Sequence, residues 1–170
     1  MKQFVTGGVK SGKSNYAQEL ASLSKKPVVY IATATAMDDE MAERIYLHQQ
    51  NRPKEWDLIE EPIHLAEIIE THAKPSCCLL IECLTLWLTN LLLAKDESLL
   101  REEIKLFLHA YAHIESEIIL VANESNMGVT PINALARRYC DEAGLLYQKI
   151  AKSSDRVFFM IMGLPQILKG

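Results

Sequence analysis

The sequence predicts an α/β protein with a mostly parallel sheet and helices on both faces. Short, almost continuously apolar runs of strand length recur along the chain, and segments with helical periodicity separate them. The length of 170 residues suits a single domain, residues 1–170, whose core needs no disulfides.

The first predicted elements are a strand over residues 2–6 and a helix over residues 12–23, joined by the loop GGVKSGKS. The loop has the spacing G-x-x-x-x-G-K-S of a phosphate-binding loop. Its backbone N–H groups and the helix N-terminus favour a β-phosphate, Lys13 is expected to reach the β- and γ-phosphates, and Ser14 is expected to ligate Mg²⁺. A chance glycine-rich turn is the alternative. The complete motif between a strand and a helix instead predicts a P-loop NTPase (RecA-like) three-layer fold.

The next elements continue the alternation. PVVYIAT, at residues 27–33, predicts a buried strand, and residues 38–50 predict a helix whose acidic first turn suits the helix dipole. Pro53 excludes a longer helix. An amphipathic helix is predicted over residues 63–73, and the apolar run CCLLIECL at residues 77–84 predicts a further buried strand.

The second half of the chain shows the same pattern. Helices are predicted over residues 84–94, 98–115 and 131–151. Buried strands are predicted at residues 117–123 and 156–163, the latter as the last strand.

Composition excludes several classes of protein. A net charge of −4 disfavours binding to nucleic acid or to an anionic membrane. The longest apolar stretch, residues 77–94, is interrupted by polar residues, so stable membrane insertion is not expected, and neither is a signal peptide. The four cysteines lack metal-ligand spacing, which predicts buried thiols rather than a metal site and a reducing, cytoplasmic setting.

Two polar features are predicted at the carboxyl edge of the sheet. Glu82 lies near the end of a buried strand, where we expect it to join Ser14 in holding Mg²⁺, although a structural ion pair or a helix cap is the alternative. The segment NESNMGVTP at residues 123–131 follows another strand, so Asn123 and Glu124 are expected to face the nucleotide or its acceptor. A plain connecting loop is the alternative there.

His48 lies four residues after Arg44 and four before Arg52. A lone helical histidine is usually a surface residue, but the two arginines would lower its pKa and favour the neutral imidazole that a nucleophile requires. Glu60 and its neighbour Glu61 are expected to be solvated on these grounds alone. Surface positions are also expected for the other histidines, His64, His72, His109 and His113.

Five segments together resemble one enzyme family: VTGGVKSGKS (5–14), YIATATAMDDEMAERIYLHQQNRPKEW (30–56), LLIECLTLWLTNLL (79–92), NESNMGVTP (123–131) and ARRYCDEAG (136–144). The combination of a P-loop with R-I-x-x-H-x-x-x-R-P and E-C-L-T-x-W-x-T-N is far more specific than any single motif. The sequence resembles the bifunctional adenosylcobinamide kinase / adenosylcobinamide-phosphate guanylyltransferases of cobalamin biosynthesis.

This resemblance implies two reactions. One transfers a phosphate from ATP or GTP to the aminopropanol hydroxyl of adenosylcobinamide, and the other passes GMP from GTP, through a histidine, to adenosylcobinamide phosphate. The guanylylated histidine of the family falls on His48, Glu60 would read the guanine, and a homotrimer is implied. The nucleotide contacts of the family fall on Gly7, Gly8, Val9, Lys10, Ser11, Gly12, Lys13, Ser14, Ala32, Thr33, Ala34, Gln49, Gln50, Asn51, Arg52, Glu60 and Glu82.

Two residues depart from the family pattern. Asn126 replaces the first glycine of N-E-x-G-x-G-x-x-P, and Tyr147 stands where the family usually has asparagine. Asn tolerates a positive φ, so the loop shape is expected to survive. The competing functions are a P-loop small-molecule kinase without guanylyl transfer and a non-catalytic GTP-binding regulator, and the absence of an N-K-x-D motif disfavours the regulator.

Overall fold

The computed structural model describes residues 1–35, 39, 43 and 53–170. Within these ranges the strands are β1 (Lys2–Gly7), β2 (Val28–Ala32), β3 (Asp57–Glu60), β4 (Cys78–Glu82), β5 (Glu117–Asn123), β6 (Arg156–Ile161) and β7 (Leu164–Lys169). The helices are α1 (Lys13–Leu23), α2 (Leu65–His72), α3 (Leu84–Leu93), α4 (Glu97–His113) and α5 (Ala134–Ser153).

The seven strands form one sheet in the order β3-β2-β4-β5-β1-β6-β7. All neighbouring pairs are parallel except β6 and β7, which form an antiparallel hairpin. Because the parallel strands share a direction, their carboxyl ends meet along one edge of the sheet. That edge carries Gly7, Ala32, Glu60, Glu82 and Asn123.

Side chains of each central strand alternate between two cores. On β1, Phe4 packs into the core beneath α2–α5, whereas Val5 packs into the core beneath α1. Strand β4 divides in the same way, with Leu79 in the first core and Leu80 in the second. Burial on both faces explains why these strands are almost continuously apolar, and it confirms the predicted α/β class.

Two strands were not expected from the sequence. Strand β3 is a short edge strand, and β7 follows the strand that was predicted to be the last, so that prediction is wrong. Every residue of β7 is exposed, so it lacks the buried apolar pattern on which the other predictions depended. Most of the helix predicted over residues 38–50 lies outside the described residues.

Two further observations concern the surface. His64, expected at the surface, is half-exposed and pairs through Nδ1 with Glu103 Oε1 at 2.7 Å, which ties the start of α2 to α4. Within the described ranges, no helix is both long and apolar enough to cross a membrane.

Candidate nucleotide-binding site

The P-loop connects β1 to α1 and requires glycine at two positions. Gly7 has φ +151° and Gly12 has φ +95°. A Cβ on Gly7 would lie 2.5 Å from the carbonyl oxygen of Met160 on β6. The loop therefore runs so close to its neighbour that a side chain at Gly7 would displace it.

The turn between β6 and β7 supports the other side of the loop. The Gly163 N–H donates to the Ser11 carbonyl at 3.0 Å. A Cβ on Gly12 would lie 3.2 Å from the Gly163 Cα, which is tighter than ordinary van der Waals contact. This contact was not predicted, because it depends on the hairpin partner that the sequence did not reveal.

Polar groups inside the loop suit an anion. Helix α1 begins at Lys13, and its N-cap residue, Gly12, has no side chain to cap it. The first turn also contains no acidic residue, so the N-terminal N–H groups remain available to a phosphate. The Ser11 hydroxyl oxygen is buried and has no hydrogen-bond partner among the described residues. Lys13 is only 7% exposed, and its Nζ donates to the Gly8 carbonyl at 2.5 Å across the loop.

Burial affects the charge of Lys13. Desolvation lowers the pKa of its ammonium below the ordinary value of 10.5, while the Cys83 and Glu82 side chains act in the opposite direction. The fold thus holds a cation in a place where it is poorly hydrated. Binding of an anionic phosphate would replace the missing water, which is the physical role expected of this lysine.

Ser14 and Glu82 meet, as predicted from the sequence. The Ser14 hydroxyl donates to Glu82 Oε1, and the Tyr30 hydroxyl on β2 donates to Glu82 Oε2 at 3.0 Å. Tyr30 was not among the predicted site residues, since in the sequence it is one more apolar position of a buried strand. The two hydroxyls fix both oxygens of the carboxylate at the end of β4.

This arrangement fits Mg²⁺. The ion prefers oxygen ligands and usually takes one or two from the protein, with nucleotide phosphates and water completing the octahedron. Ser14 and Glu82 supply a hydroxyl and a carboxylate beside the P-loop. Among the described residues there is no cluster of three or more His, Cys, Asp or Glu side chains suited to a metal, so a site built wholly from such ligands is not found in that part of the chain.

The motif E-C-L-T-x-W-x-T-N holds the strand ends together. Thr85 Oγ1 accepts from the Asn123 N–H at 2.8 Å, and Trp87 Nε1 donates to the Ile63 carbonyl at 2.6 Å. The Asn90 side-chain amide donates to the carbonyls of Thr33 at 2.9 Å and Pro62 at 3.2 Å. Beyond Glu82, these polar members of the motif position the loops that follow β2, β3 and β5.

Some of the nucleotide contacts predicted after β2 lie within the described residues, and others lie outside them. Thr33 is fully buried; its hydroxyl donates to the Cys83 carbonyl at 2.7 Å and accepts from the Cys83 N–H at 2.9 Å, which joins β2 to β4. Glu60 is exposed and pairs in register with Ala32 at the same edge. Ala34 follows Thr33 directly. His48 and the predicted contacts Gln49, Gln50, Asn51 and Arg52 lie outside the described residues.

The segment at residues 123–131 starts beside the P-loop. The Glu124 N–H donates to the Gly7 carbonyl at 2.9 Å, and Glu124 Oε1 accepts from the Asn126 N–H at 2.5 Å. Asn126 does not adopt a positive φ, so its tolerance of that conformation is not used. The Tyr147 ring centroid lies 5.5 Å from that of Phe4, and the Tyr147 hydroxyl lies 3.2 Å from that of Tyr139.

Solved structures that resemble this one show the fold. A protein of Pyrococcus horikoshii OT3 matches 99% of the chain and 86% of its own length, with a TM-score of 0.57 and 10% identity. The RadB recombinase matches 92% of the chain and 72% of its own length, with a TM-score of 0.54 and 14% identity. An ATPase of a bacterial type III secretion system matches 93% of the chain and half of its own length, with a TM-score of 0.50 and 11% identity. The predicted RecA-like, P-loop fold is confirmed.

Sequence comparisons identify relatives that align with the whole chain. The bifunctional adenosylcobalamin biosynthesis protein CobP of Pseudomonas aeruginosa is 48% identical over 170 residues, covering 100% of this chain and 98% of the relative. Its counterpart CobU of Escherichia coli is 37% identical, covering 99% of this chain and all of the relative. The family model described as cobinamide kinase / cobinamide phosphate guanyltransferase matches residues 3–168. The chain belongs to this family of bifunctional enzymes of adenosylcobalamin biosynthesis, which confirms the kinase and guanylyltransferase predicted from its motifs.

Proposed function

We propose that one P-loop site of this chain serves both reactions: transfer of a phosphate from ATP or GTP to adenosylcobinamide, and transfer of GMP from GTP to adenosylcobinamide phosphate. The observation that carries the proposal is the meeting of Ser14 with Glu82 beside the P-loop. This meeting supports the proposal, because P-loop enzymes hold the metal of a bound nucleoside triphosphate with a hydroxyl and a carboxylate beside the loop.

We propose that Ser14 and Glu82 hold Mg²⁺ and that Lys13 contacts the phosphates. The metal would supply neutralisation of the charge that develops on the leaving oxygens. The Lys13 ammonium adds a second positive charge in a poorly hydrated position. Both groups act on any nucleoside triphosphate in the loop, so they serve the kinase and the guanylyl transfer alike.

His48 is the proposed nucleophile of the guanylyl transfer. Its neutral imidazole nitrogen forms a bond to the α-phosphorus of GTP, the bond from that phosphorus to the bridging oxygen breaks, and pyrophosphate leaves. A phosphate oxygen of adenosylcobinamide phosphate then attacks the same phosphorus, and the phosphorus–nitrogen bond breaks to restore the imidazole. Dividing one displacement into two steps is the advantage of such an intermediate.

Glu60 is the proposed reader of guanine. An exposed carboxylate at the end of β3 can accept hydrogen bonds from the N1–H and the exocyclic amino group of guanine. Adenine has no N1–H and no amino group at C2, so it cannot make this pair of contacts. This difference would restrict the guanylyl step to GTP, whereas the kinase step needs only a γ-phosphate.

The proposal is tested by incubating the protein with GTP labelled at the α-phosphate. We expect an acid-labile, alkali-stable label on the wild-type protein and none on His48→Ala. His64→Ala is the matched control, since His64 lies on the described surface and should leave labelling intact. An unlabelled wild-type protein that still phosphorylates adenosylcobinamide would instead indicate a P-loop kinase without guanylyl transfer.

We further propose a homotrimer in the cytoplasm. The exposed edge strand β7, with Leu164, Ile167 and Leu168 on its surface, offers an apolar surface for contacts between copies. The four cysteines are all free thiols, as expected in a reducing compartment. Sedimentation equilibrium tests the trimer; a single monomeric species across the working concentration range contradicts it.

A further inference from the structure

A pocket of about 420 Å³ lies outside the P-loop, and none of its lining residues belongs to that loop. One wall is the loop after β5, and the opposite wall is the first two turns of α5. Its lining residues are Ser125, Asn126, Gly128, Val129, Thr130, Pro131, Arg137, Cys140 and Asp141. We refer to it as the β5–α5 pocket. Its volume lies within the range of roughly 300–1,000 Å³ typical of small-molecule sites.

Hydrogen bonds fix both walls of the β5–α5 pocket. The Asn126 side-chain amide donates to the Cys140 carbonyl at 2.9 Å, joining the loop to the helix. Arg137 Nη1 donates to the carbonyls of Pro131 and Ile132, so its guanidinium is engaged in holding the loop. Asn126 stands where the family pattern has glycine, and its side chain therefore adds a hydrogen bond that braces the pocket.

The position of the pocket relates it to the nucleotide. Strand β5 lies next to β1, with Asn123 opposite Gly7, and the Glu124 N–H donates to the Gly7 carbonyl at 2.9 Å. The loop that forms the pocket thus leaves the sheet where the P-loop begins. A ligand held there would lie at the same edge of the sheet as a nucleotide bound to the P-loop.

The lining indicates what kind of ligand would bind. Asp141 and Thr130 make no side-chain hydrogen bond or ion pair with any residue that the structure describes, so both can bind hydrogen-bond donors from a ligand. Val129 also lines the pocket and is 94% exposed, and two sequence neighbours of the lining, Met127 and Ile132, are 79% and 97% exposed. We refer to these three apolar side chains as the apolar rim; an exposed apolar surface beside polar groups is typical of a binding site.

This combination favours an amphipathic acceptor over a second nucleotide. A free carboxylate repels phosphate, and the one arginine of the lining is already bound to backbone carbonyls. Cobinamide offers a broad macrocycle with carboxamide side chains, which carry N–H donors for Asp141 and apolar surface for Val129 and Ile132.

We propose that the β5–α5 pocket binds the corrinoid acceptor, with Asp141 accepting from a carboxamide and the apolar rim covering part of the macrocycle. This inference rests on the proposed function, because it takes adenosylcobinamide as the acceptor. It goes beyond that function in assigning the residues that recognise the acceptor.

Cys140 provides a direct test of binding. It is the partly exposed cysteine of the pocket, whereas Cys77 and Cys78 are buried and burial raises the pKa of the Cys78 thiol to about 12. Cys83 is partly exposed as well, but desolvation raises the pKa of its thiol, which slows its alkylation. Alkylation by iodoacetamide, followed by mass spectrometry, should therefore report on Cys140, and Cys140→Ser should abolish the fast-reacting label.

Saturating adenosylcobinamide should slow alkylation of Cys140 about tenfold, and GTP alone should not.

Asp141→Asn should weaken acceptor binding roughly tenfold, as expected for loss of a hydrogen bond to a charged group. Val129→Asp should do the same by placing a charge in the apolar rim. GTP affinity should be retained in both variants. Glu102→Gln, an acid-to-amide change at an exposed position of α4, is the matched control. It should alter neither acceptor binding nor GTP affinity.

Three outcomes overturn the inference. They are unchanged alkylation in the presence of adenosylcobinamide, protection by GTP alone, and protection that depends only on protein concentration, which would place the pocket between copies of the chain. Failure of the proposed function looks different. A wild-type protein without the GMP label would still show corrinoid protection of Cys140 if this inference is correct.

Discussion

The Tyr30 hydroxyl donates a hydrogen bond to Glu82 Oε2 at 3.0 Å, while Ser14 holds the other oxygen of the same carboxylate. Strand β2 thereby reaches across to β4 and orients the carboxylate proposed to hold Mg²⁺. Tyr30 is a positioning residue, because it acts through Glu82 rather than on the nucleotide.

Replacing Tyr30 with Phe should weaken Mg²⁺ binding in the nucleotide complex roughly three- to tenfold, since the hydrogen bond that orients the carboxylate is lost. Titration of Mn²⁺ followed by electron paramagnetic resonance measures this directly. Tyr111→Phe is the control: it removes a buried hydrogen bond to Ser154, at 2.8 Å, remote from the P-loop. Equal metal affinity in the two variants would contradict the positioning role.

Replacing Gly12 with Ala should impair GTP binding at least tenfold. A side chain there is strained at φ +95° and meets Gly163 at 3.2 Å. Gly8→Ala is the control within the same loop, because a Cβ at Gly8 meets nothing within 4 Å and its φ is not in the left-handed range. Isothermal titration with GTP compares them, and equal losses would show that strain at Gly12 is not the cause.

Replacing Lys13 with Met should abolish tight GTP binding yet raise the free energy of unfolding of the nucleotide-free protein at pH 7. Burial lowers the pKa of Lys13 in the folded state, so the folded protein holds this proton less firmly than the unfolded chain. Burial of the charged ammonium therefore lowers the free energy of unfolding. This loss is fully present below the pKa of Lys13 in the folded state and disappears as the pH rises past its pKa in the unfolded chain. Urea unfolding at pH 7 and pH 10 should therefore show a stabilisation that shrinks with pH; a Lys13→Met variant that is less stable at both pH values contradicts this.

Replacing His64 with Gln should destabilise the protein more at pH 5.5 than at pH 8.5. The hydrogen bond to Glu103 raises the pKa of His64 above its ordinary value of 6.5. A raised pKa gives stability that is present below the unfolded value and lost as the pH rises through the folded one. Because His64 is half-exposed, the difference should be below about 1 kcal/mol. Urea unfolding at the two pH values measures this difference, and an equal destabilisation at both values contradicts the prediction.

Replacing Glu60 with Gln should lower GTP affinity about tenfold and leave ATP affinity nearly unchanged, because the carboxylate is proposed to read only guanine. Competition binding with the two nucleotides measures the ratio. Asp57→Asn, the same change at an exposed position of β3, is the control. An equal effect on both nucleotides would remove Glu60 from base recognition.

The sequence predicts well the parts of the fold that are determined locally. The P-loop motif, the apolar run ending at Glu82 and the helix signals around them are enough to bring Ser14 and Glu82 to one edge of a parallel sheet. Edge elements are different. β3 and β7 carry mostly exposed side chains and are defined by pairing with a neighbour, so periodicity gives no signal for them.

The supporting residues of the site were missed for a related reason. Tyr30 lies in an apolar strand, and nothing in the sequence separates a tyrosine that fills the core from one that holds a carboxylate. Asn90 and Trp87 belong to a motif that carries the family resemblance, and their side chains brace backbone loops. Their roles depend on which carbonyl lies opposite, and only the tertiary structure determines that.

The contact between Gly163 and Ser11 has a consequence for synthesis of the chain. A ribosome makes the P-loop about 150 residues before the turn that supports it. The nascent protein therefore lacks a finished phosphate cradle until that turn has been made. Nucleotide capture should begin only after the β6–β7 hairpin has left the exit tunnel, so premature termination before β7 should yield chains unable to sequester cellular GTP.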